Sequence, residues 1–218
     1  MPPDPPLPPD DDEADEADLA GLVAYGGDLD EGTLRQAYAG GLFPWYATGD
    51  PILWWSPDPR AVLHPLSDLH VPRRLRRVLE RDDVEVRIDG DVGRVARACA
   101  DARQGATWIH PEMIEAYAAL GRAGDARAVE VWREGHFVGG VYGVVVGAVF
   151  CAESMVHLET DMSKVAFVRL VEHLRARGFE LLDAQLMTPH LARFGVRPMP
   201  RAEYLARLAS LRERCVAW

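Results

Sequence analysis

The sequence predicts an α/β (α+β) fold, with a small N-terminal domain followed by a larger domain built on a mixed, largely antiparallel sheet. Residues 130–155 contain three β-branched and apolar runs separated by turns at Glu134–Gly135 and Gly147, which is typical of an antiparallel meander. Helical and strand patterns alternate on both sides of this meander. Upstream, residues 21–60 form a module rich in Trp, Tyr and Pro. We therefore divide the chain into a tail (1–18), a small domain (19–60) and a large domain (61–218).

The charge of the chain is unevenly distributed. The formal net charge is −10, and residues 1–18 hold eight acids and no base. The remainder has 26 acids against 24 bases, so a local basic patch is compatible with the composition. Residues 1–18 are also Pro-rich, and we expect them to be disordered. The alternative is a tail that competes with RNA for basic patches.

Cysteine usage and hydropathy predict a cytoplasmic protein. The three cysteines have no CxxC spacing, which argues against a disulfide framework and a zinc site and is typical of a reducing compartment. The longest apolar run, near residues 137–152, is shorter than the roughly 20 residues of a membrane helix. The acidic, Pro-rich N-terminus is unlike a signal peptide.

Within the small domain, Asp28 or Asp30 is placed to cap a helix over Glu31–Ala39. The aromatic residues that follow lie among prolines, which predicts rigid loops. Trp54 and Trp55 are expected in the core. Trp45 has two open interpretations, as a core residue or as a residue that stacks on a base or fills a ligand pocket.

The clearest helix pattern covers Val71–Arg81, with Pro72 in its first turn. Five arginines occupy its polar surface: Arg73, Arg74, Arg76, Arg77 and Arg81. Such a run is commonly only a solvated face. With Glu80 as the one acid among them in an acidic protein, a phosphate-binding patch is favoured, because guanidinium groups match phosphate oxygens.

The remaining elements alternate along the chain. They are a strand over Val84–Ile88, helices over Asp91–Arg103 and Glu112–Gly121, the meander, a helix ending at Arg177, a strand over Glu180–Leu186 and a helix over Arg201–Arg214. Glu153 and Ser154 follow the third meander strand, and Asp183 and Gln185 lie two apart on one face of a later strand. We expect these two strands to be neighbours and their polar residues to face one cleft. A carboxylate there must be paired, solvated or in use, because an unpaired buried charge costs several kcal/mol.

The alternation resembles the sheet of N-acetyltransferases, a GNAT-like fold. Those enzymes bind the pyrophosphate of coenzyme A with a Gly-rich loop between a strand and a helix. Residues 152–164, where this loop would lie, contain no glycine. A coenzyme A site is therefore not predicted.

Several sequence blocks resemble the leucyl/phenylalanyl-tRNA–protein transferase family. The most specific are Trp54-Trp55-Ser56-Pro57-Asp58-Pro59-Arg60 and Phe150-Cys151-Ala152-Glu153-Ser154-Met155. Further matching blocks are Gly26–Leu29, Gly41–Trp45, Thr107–Ile109, Gly139–Gly143, Ser163–Lys164 and Asp183–Gln185. The resemblance extends from about Gly21 to Tyr204.

The resemblance implies an enzyme that moves Leu or Phe, and less readily Met, from aminoacyl-tRNA to the N-terminal Arg or Lys of acceptor proteins. This addition marks the acceptor for N-degron degradation. The implied fold is a small N-terminal domain joined to a GNAT-like domain that works without coenzyme A, metal or other cofactor. A monomer without membrane contact is expected.

The resemblance also implies roles for three polar residues. Gln185 would hydrogen-bond the attacking amine or the ester, and Asp183 would orient and polarise Gln185. Glu153 would attract the basic side chain or the α-ammonium group of the acceptor. The purely structural alternatives are a satisfied strand pair for Asp183 and Gln185, and a salt bridge to Lys164 for Glu153.

Binding residues follow from the same resemblance. Trp45 and Trp108 match positions that contact the 3′-terminal adenosine, and the five arginines match a basic patch for the acceptor stem. The apolar amino-acid pocket would consist of Val141, Phe150, Met155, Leu170 and Leu182. Departures from the family pattern concern substrate preference: Val141 stands where a larger Met occurs, and Thr188 replaces an Asn found in some members.

Two other functions are compatible with parts of the sequence. A coenzyme A-dependent N-acetyltransferase would bind acetyl-coenzyme A. A non-catalytic tRNA-binding protein would keep the arginine helix but have no use for Glu153, Asp183 and Gln185, so that Gln185→Ala would leave its function intact.

Overall fold

The computed structural model describes residues 21–103 and 107–218, and the predicted tail at 1–18 lies outside this range. The helices are α1 Glu31–Ala39, α2 Arg73–Leu79, α3 Val92–Asp101, α4 Pro111–Ala123, α5 Met162–Arg177, α6 Pro189–Ala192 and α7 Arg201–Leu211. The strands are β1 Leu22–Tyr25, β2 Phe43–Pro44, β3 Leu53–Trp55, β4 Arg60–Leu63, β5 Val84–Ile88, β6 Ala126–Arg133, β7 His136–Val146, β8 Val149–His157, β9 Leu181–Gln185 and β10 Arg197–Met199. Within the described ranges, no helix is long and apolar enough to cross a membrane.

The strands form two sheets. The smaller has the order β1-β3-β2 and is antiparallel. The larger has the order β10-β4-β9-β8-β7-β6-β5, and among these described strands β8 and β9 alone are parallel neighbours. Helix α5 supplies the crossover that a parallel pair needs. The predicted mixed, largely antiparallel sheet and the adjacency of β8 and β9 are confirmed.

The N-terminal aromatic segment is more regular than predicted. Helix α1 has the predicted bounds, and the Asp30 carboxylate accepts from the backbone N–H groups of its first turn. The Trp- and Pro-rich region was predicted as rigid loops. Residues 45–52 and 56–59 are loops, but β2 and β3 lie in the same region and β4 begins at its end, so the prediction missed these strands. Strands of two to four residues are too short to leave a readable periodicity. Trp54 and Trp55 are buried in the core, as predicted.

Two apolar clusters cover the two faces of the large sheet. One lies beneath α5. The other contains α3, α4, α7 and the N-terminal aromatic residues, so that Tyr38 and Trp55 share a cluster with Tyr204 and Leu208. The small sheet is thus packed into the same core as the large one.

Strands β8 and β9 pair over only three positions, ending at Cys151 and Asp183. At this end both strands lose their regular geometry. In β8 the register against β7 shifts so that Glu153 is the extra residue of a bulge. In β9 the backbone of Gln185 is left-handed, with a φ of 56°. The two irregularities face each other where the strands separate.

Candidate active site

A cavity of about 130 Å³ opens where β8 and β9 separate. Its polar wall includes Glu153, Ser154 and Gln185, and aromatic side chains close another side. Its apolar end lies against α5. An apolar cavity of about 150 Å³ can hold benzene, so this space suits one apolar side chain of moderate size.

Glu153 is the centre of a hydrogen-bond chain. Its Oε1 accepts from Nε2 of Gln185 (2.7 Å), and its Oε2 accepts from the hydroxyl of Tyr117 (2.9 Å). The Tyr117 hydroxyl lies 2.6 Å from that of Tyr38, and both tyrosines are buried. Burial raises the pKa of Glu153 to about 7, although the tyrosine hydrogen bonds act to lower it. The alternative salt bridge with Lys164 does not form, since Lys164 pairs with Asp161.

Asp183 lies behind the cavity and does not line it. Its carboxylate is 0% exposed and accepts from Nε and Nη2 of Arg60, at 2.8 and 2.7 Å. The hydroxyl of Tyr204 donates to the same carboxylate (2.8 Å). Arg60 is itself buried and also donates to the carbonyl oxygen of Gly41. Because this is a bidentate ion pair, the charge of Asp183 is already matched.

The contact between Asp183 and Gln185 differs from the one expected. Asp183 Oδ1 accepts from the backbone N–H of Gln185 (2.9 Å) and holds the left-handed turn. Asp183 thus orients Gln185 through its backbone, whereas the side-chain Nε2 of Gln185 donates to Glu153 and not to Asp183. Polarisation of Gln185 by Asp183 stays a prediction. A carboxylate only accepts hydrogen bonds, so the amide nitrogen must face Glu153 and the amide oxygen must point away from it.

Trp45 and Trp108 both border the cavity, with relative exposures of 9% and 7%. The Trp45 ring lies 5.6 Å from that of Trp55, whose indole N–H donates to the Trp45 carbonyl oxygen. Trp45 therefore packs in the core, as the first interpretation predicts, and also borders the cavity. Its contact with an adenosine stays a prediction.

Two of the five predicted pocket residues, Val141 and Met155, line the cavity. The other three do not, and the reason lies in the strand register. Phe150 and Leu182 are partners in the short stretch where β8 and β9 are still paired, so they are sealed beneath α5. Leu170 is fully buried at the same level. Phe167, one turn earlier in α5, reaches the cavity in its place.

Four of the five predicted phosphate-binding arginines lie exposed on α2: Arg73, Arg74, Arg76 and Arg77. Arg81 is different. The helix ends at Leu79 rather than at Arg81, and Arg81 forms a bidentate pair with Asp83. Asp83 also pairs with Arg133. Arg81 is thus the member of the patch whose charge is offset.

Comparison with known proteins identifies the family. Residues 62–209 match the family model described as leucyl/phenylalanyl-tRNA protein transferase. Residues 27–58 match the model for the N-terminal domain of the same transferase. The chain belongs to this family.

Relatives at about half identity carry the same name. The leucyl/phenylalanyl-tRNA–protein transferase of Shewanella denitrificans is 49% identical over 201 residues, which is 91% of this chain and 86% of that protein. The transferase of Anaeromyxobacter sp. (strain K) is 52% identical over 198 residues, with coverage of 89% and 84%.

Solved structures match the fold at low identity. FemX overlaps with a TM-score of 0.50 and 11% identity, covering 66% of this chain and 60% of FemX. A GCN5-related N-acetyltransferase from Kribbella flavida has a TM-score of 0.42 and 16% identity, covering 66% and 55%. The overlap with FemX agrees with the predicted α/β fold built on a mixed sheet.

In this member of the leucyl/phenylalanyl-tRNA–protein transferase family, several site residues were missed by sequence reasoning. Arg60 is the last residue of the Trp54–Arg60 motif, but it is buried against Asp183, which lies 123 residues later in the chain. Tyr117 lies on an ordinary helix stripe. Arg103 borders the cavity and donates to the Ser154 hydroxyl (2.9 Å). Tyr117 and Arg103 can be identified as site residues only from the long-range packing. For Arg60, the Trp-Trp-Ser-Pro-Asp-Pro-Arg motif was a signal in the sequence that could have identified it.

Proposed function

We propose that the protein transfers Leu or Phe, and less readily Met, from aminoacyl-tRNA to the N-terminal Arg or Lys of acceptor proteins. Family membership supports the reaction class. The observation that carries the proposal is the cavity between β8 and β9, which joins Glu153 and Gln185 to an apolar end. Such a cavity suits an apolar aminoacyl ester beside an incoming amine.

The chemistry requires mainly positioning. The ester bond of aminoacyl-tRNA is already activated, so alignment of amine and ester supplies much of the rate, and no cofactor is needed. The apolar end, with Val141, Met155 and Phe167, would receive the donor side chain. Discrimination between Leu and Met there is weak, because one methylene is worth about 1–3 kcal/mol.

The RNA would lie across two surfaces. Trp45 and Trp108 would contact the 3′-terminal adenosine by stacking. The exposed arginines of α2 would bind phosphates of the acceptor stem. Helix α2 packs against α5, which contributes Phe167 to the cavity lining, whereas Trp45 and Trp108 belong to the apolar cluster on the other face of the sheet. The two RNA-binding surfaces would therefore reach the cavity from the two faces of the sheet.

The acceptor preference rests on charge. Among the described residues that line the cavity, Glu153 is the one carboxylate, which supports an acceptor with a basic N-terminal residue. Addition of Leu or Phe there would create an N-degron in the cytoplasm, where charged tRNA is made. We expect the protein to act as a monomer.

The test uses radiolabelled leucyl-tRNA with a peptide that begins with Arg, beside the same peptide beginning with Ala. Transfer to the Arg peptide alone is expected. Alanyl-tRNA serves as the donor control, since a methyl group leaves the apolar end unfilled. Equal labelling of both peptides would contradict the acceptor rule, and no labelling of either would contradict the transferase function.

A further inference from the structure

The proposed transfer requires a base, because the acceptor amine reaches the enzyme largely as an ammonium ion and only the neutral amine attacks an ester. We propose that Glu153 is the base that accepts this proton. This inference rests on the proposed function and assigns Glu153 a catalytic role in addition to attraction of the acceptor.

The geometry argues against Asp183 and Gln185 as the base. Asp183 is fully buried, does not line the cavity and is saturated by Arg60, Tyr204 and the backbone of Gln185. The Gln185 side chain is a neutral amide whose N–H group is committed to Glu153. Its oxygen can hold an amine in place, but an amide does not take up a proton near neutral pH.

Glu153 combines access with support for its charge. It lines the cavity, and each of its oxygens accepts one hydrogen bond from a neighbour. A carboxylate has about four acceptor positions, so both oxygens can still receive an N–H. The Tyr117 hydroxyl donates to the Glu153 carboxylate and is itself hydrogen-bonded to the Tyr38 hydroxyl. Burial raises the pKa of both tyrosines well above the usual range, so they remain protonated donors.

The acidities are matched. An α-ammonium group has an ordinary pKa of about 7.7–8.0. Burial raises the pKa of Glu153 to about 7, which brings the two groups within about one unit of each other. A base near the pKa of its donor is the favourable case for proton transfer. The titratable and charged groups around Glu153 are Tyr38, Tyr117, Tyr142, Cys151, Asp183 and Arg60, together with Arg103, which lines the same cavity and donates to Ser154.

In the proposed reaction, two protons leave the ammonium nitrogen. The Glu153 carboxylate takes one proton from the ammonium group, and the amine attacks the ester carbonyl carbon to form the C–N bond. The ester C–O bond breaks, and the second nitrogen proton goes to the ribose oxygen that leaves. The products are a peptide bond, a free ribose hydroxyl and protonated Glu153, which returns its proton to solvent.

The first test is Glu153→Gln in single-turnover transfer to the Arg peptide at pH 7. We expect the rate of the chemical step to fall by about 10²-fold or more. Between pH 7 and pH 9 the defect should shrink about tenfold, because neutral amine then forms in solution. Glu112→Gln is the matched control: Glu112 also accepts from a tyrosine, Tyr46, but lies outside the cavity lining.

A second measurement does not depend on the folding of that variant. The wild-type rate should rise with pH through about 7 and then level off, because the carboxylate form is the base. The Tyr117 hydrogen bond lowers the pKa of Glu153, so Tyr117→Phe should move this midpoint to higher pH. Ionisation of the amine itself would not respond to that substitution.

The outcomes separate the proposals. If Glu153→Gln keeps the full rate and only raises the KM of the Arg peptide, Glu153 binds the acceptor and is not the base. A wild-type midpoint that stays fixed in Tyr117→Phe would contradict the inference in the same way. Failure of the wild type to transfer Leu to any peptide would instead overturn the proposed function.

Discussion

At the scale of single residues, Arg60 supports the site although it does not line the cavity. It joins Asp183 of β9, Gly41 after α1 and the ring of Tyr204 in α7, whose centroid lies 4.6 Å from its guanidinium carbon. A buried ion pair adds little net stability, but the loss of one partner leaves an unpaired charge. Removal of Arg60 would therefore destabilise the protein mainly because Asp183 would remain as a buried, unpaired carboxylate.

We predict that Arg60→Met lowers the free energy of unfolding by about 3–5 kcal/mol, measured by urea denaturation at neutral pH. The matched control is Arg122→Met. Arg122 pairs with Glu115, but their side chains are 66% and 72% exposed, so the expected change is below about 1 kcal/mol. Equal effects of the two substitutions would contradict the assignment. Arg60→Met/Asp183→Asn should recover part of the lost stability.

Gln185 combines an unfavourable backbone with a functional side chain. Its left-handed φ is costly for any residue with a Cβ atom, and the Asp183 contact maintains it. We predict that Gln185→Gly is more stable than Gln185→Ala by on the order of 1 kcal/mol, since glycine adopts this conformation freely. Both should lose transfer activity to the same extent, because both lack the amide. Thermal denaturation and single-turnover rates would measure the two effects, and an Ala variant as stable as the Gly variant would argue against backbone strain.

At the scale of elements, the sequence predicted those that carry their own signals. The Asp30 cap and the helical stripe gave α1 its observed bounds, and alternation gave β5 its observed bounds. Strands β2 and β3 were missed because they are too short for a pattern. Phe150 was assigned to the pocket wrongly because its position depends on where β8 and β9 stop pairing. That boundary is a property of two strands and cannot be read from either one.

Helix α2 permits a prediction about RNA. Each exposed arginine that contacts a phosphate releases counterions. Its removal should therefore reduce the slope of log K against log salt concentration for tRNA binding by about 1. We predict this effect for Arg74→Gln and Arg77→Gln, measured by filter binding between about 50 and 200 mM salt. Arg81→Gln should change the slope less, because Arg81 is paired with Asp83. A uniform effect of all three would contradict the distinction.

At the scale of the whole molecule, the two sheets share one apolar cluster. Tyr38 and Trp55 from the N-terminal segment pack with Tyr204 and Leu208 of α7. The domain boundary at residue 60, which we retain as a proposal, therefore separates sequence modules joined by a common core.

We predict that these modules unfold together. Hydrogen exchange of the protected amides in β3 and β7 should report the same free energy of opening, because neither sheet keeps its core without the other. Exposed amides at the edge strand β1 serve as the fast-exchanging control. Earlier opening of β3 would show that the N-terminal module is an independent folding unit.

The contacts of Arg60 also affect the stage of synthesis at which the enzyme can become active on the ribosome. Its partners are spread from Gly41 to Tyr204, and Asp183 can be held in place only when all of them are present. A nascent chain that has not yet released α7 therefore lacks the arrangement that positions Gln185 against Glu153. The protein draws on the same charged tRNA that feeds translation, and its own synthesis must have passed α7 before it can begin to compete for that supply.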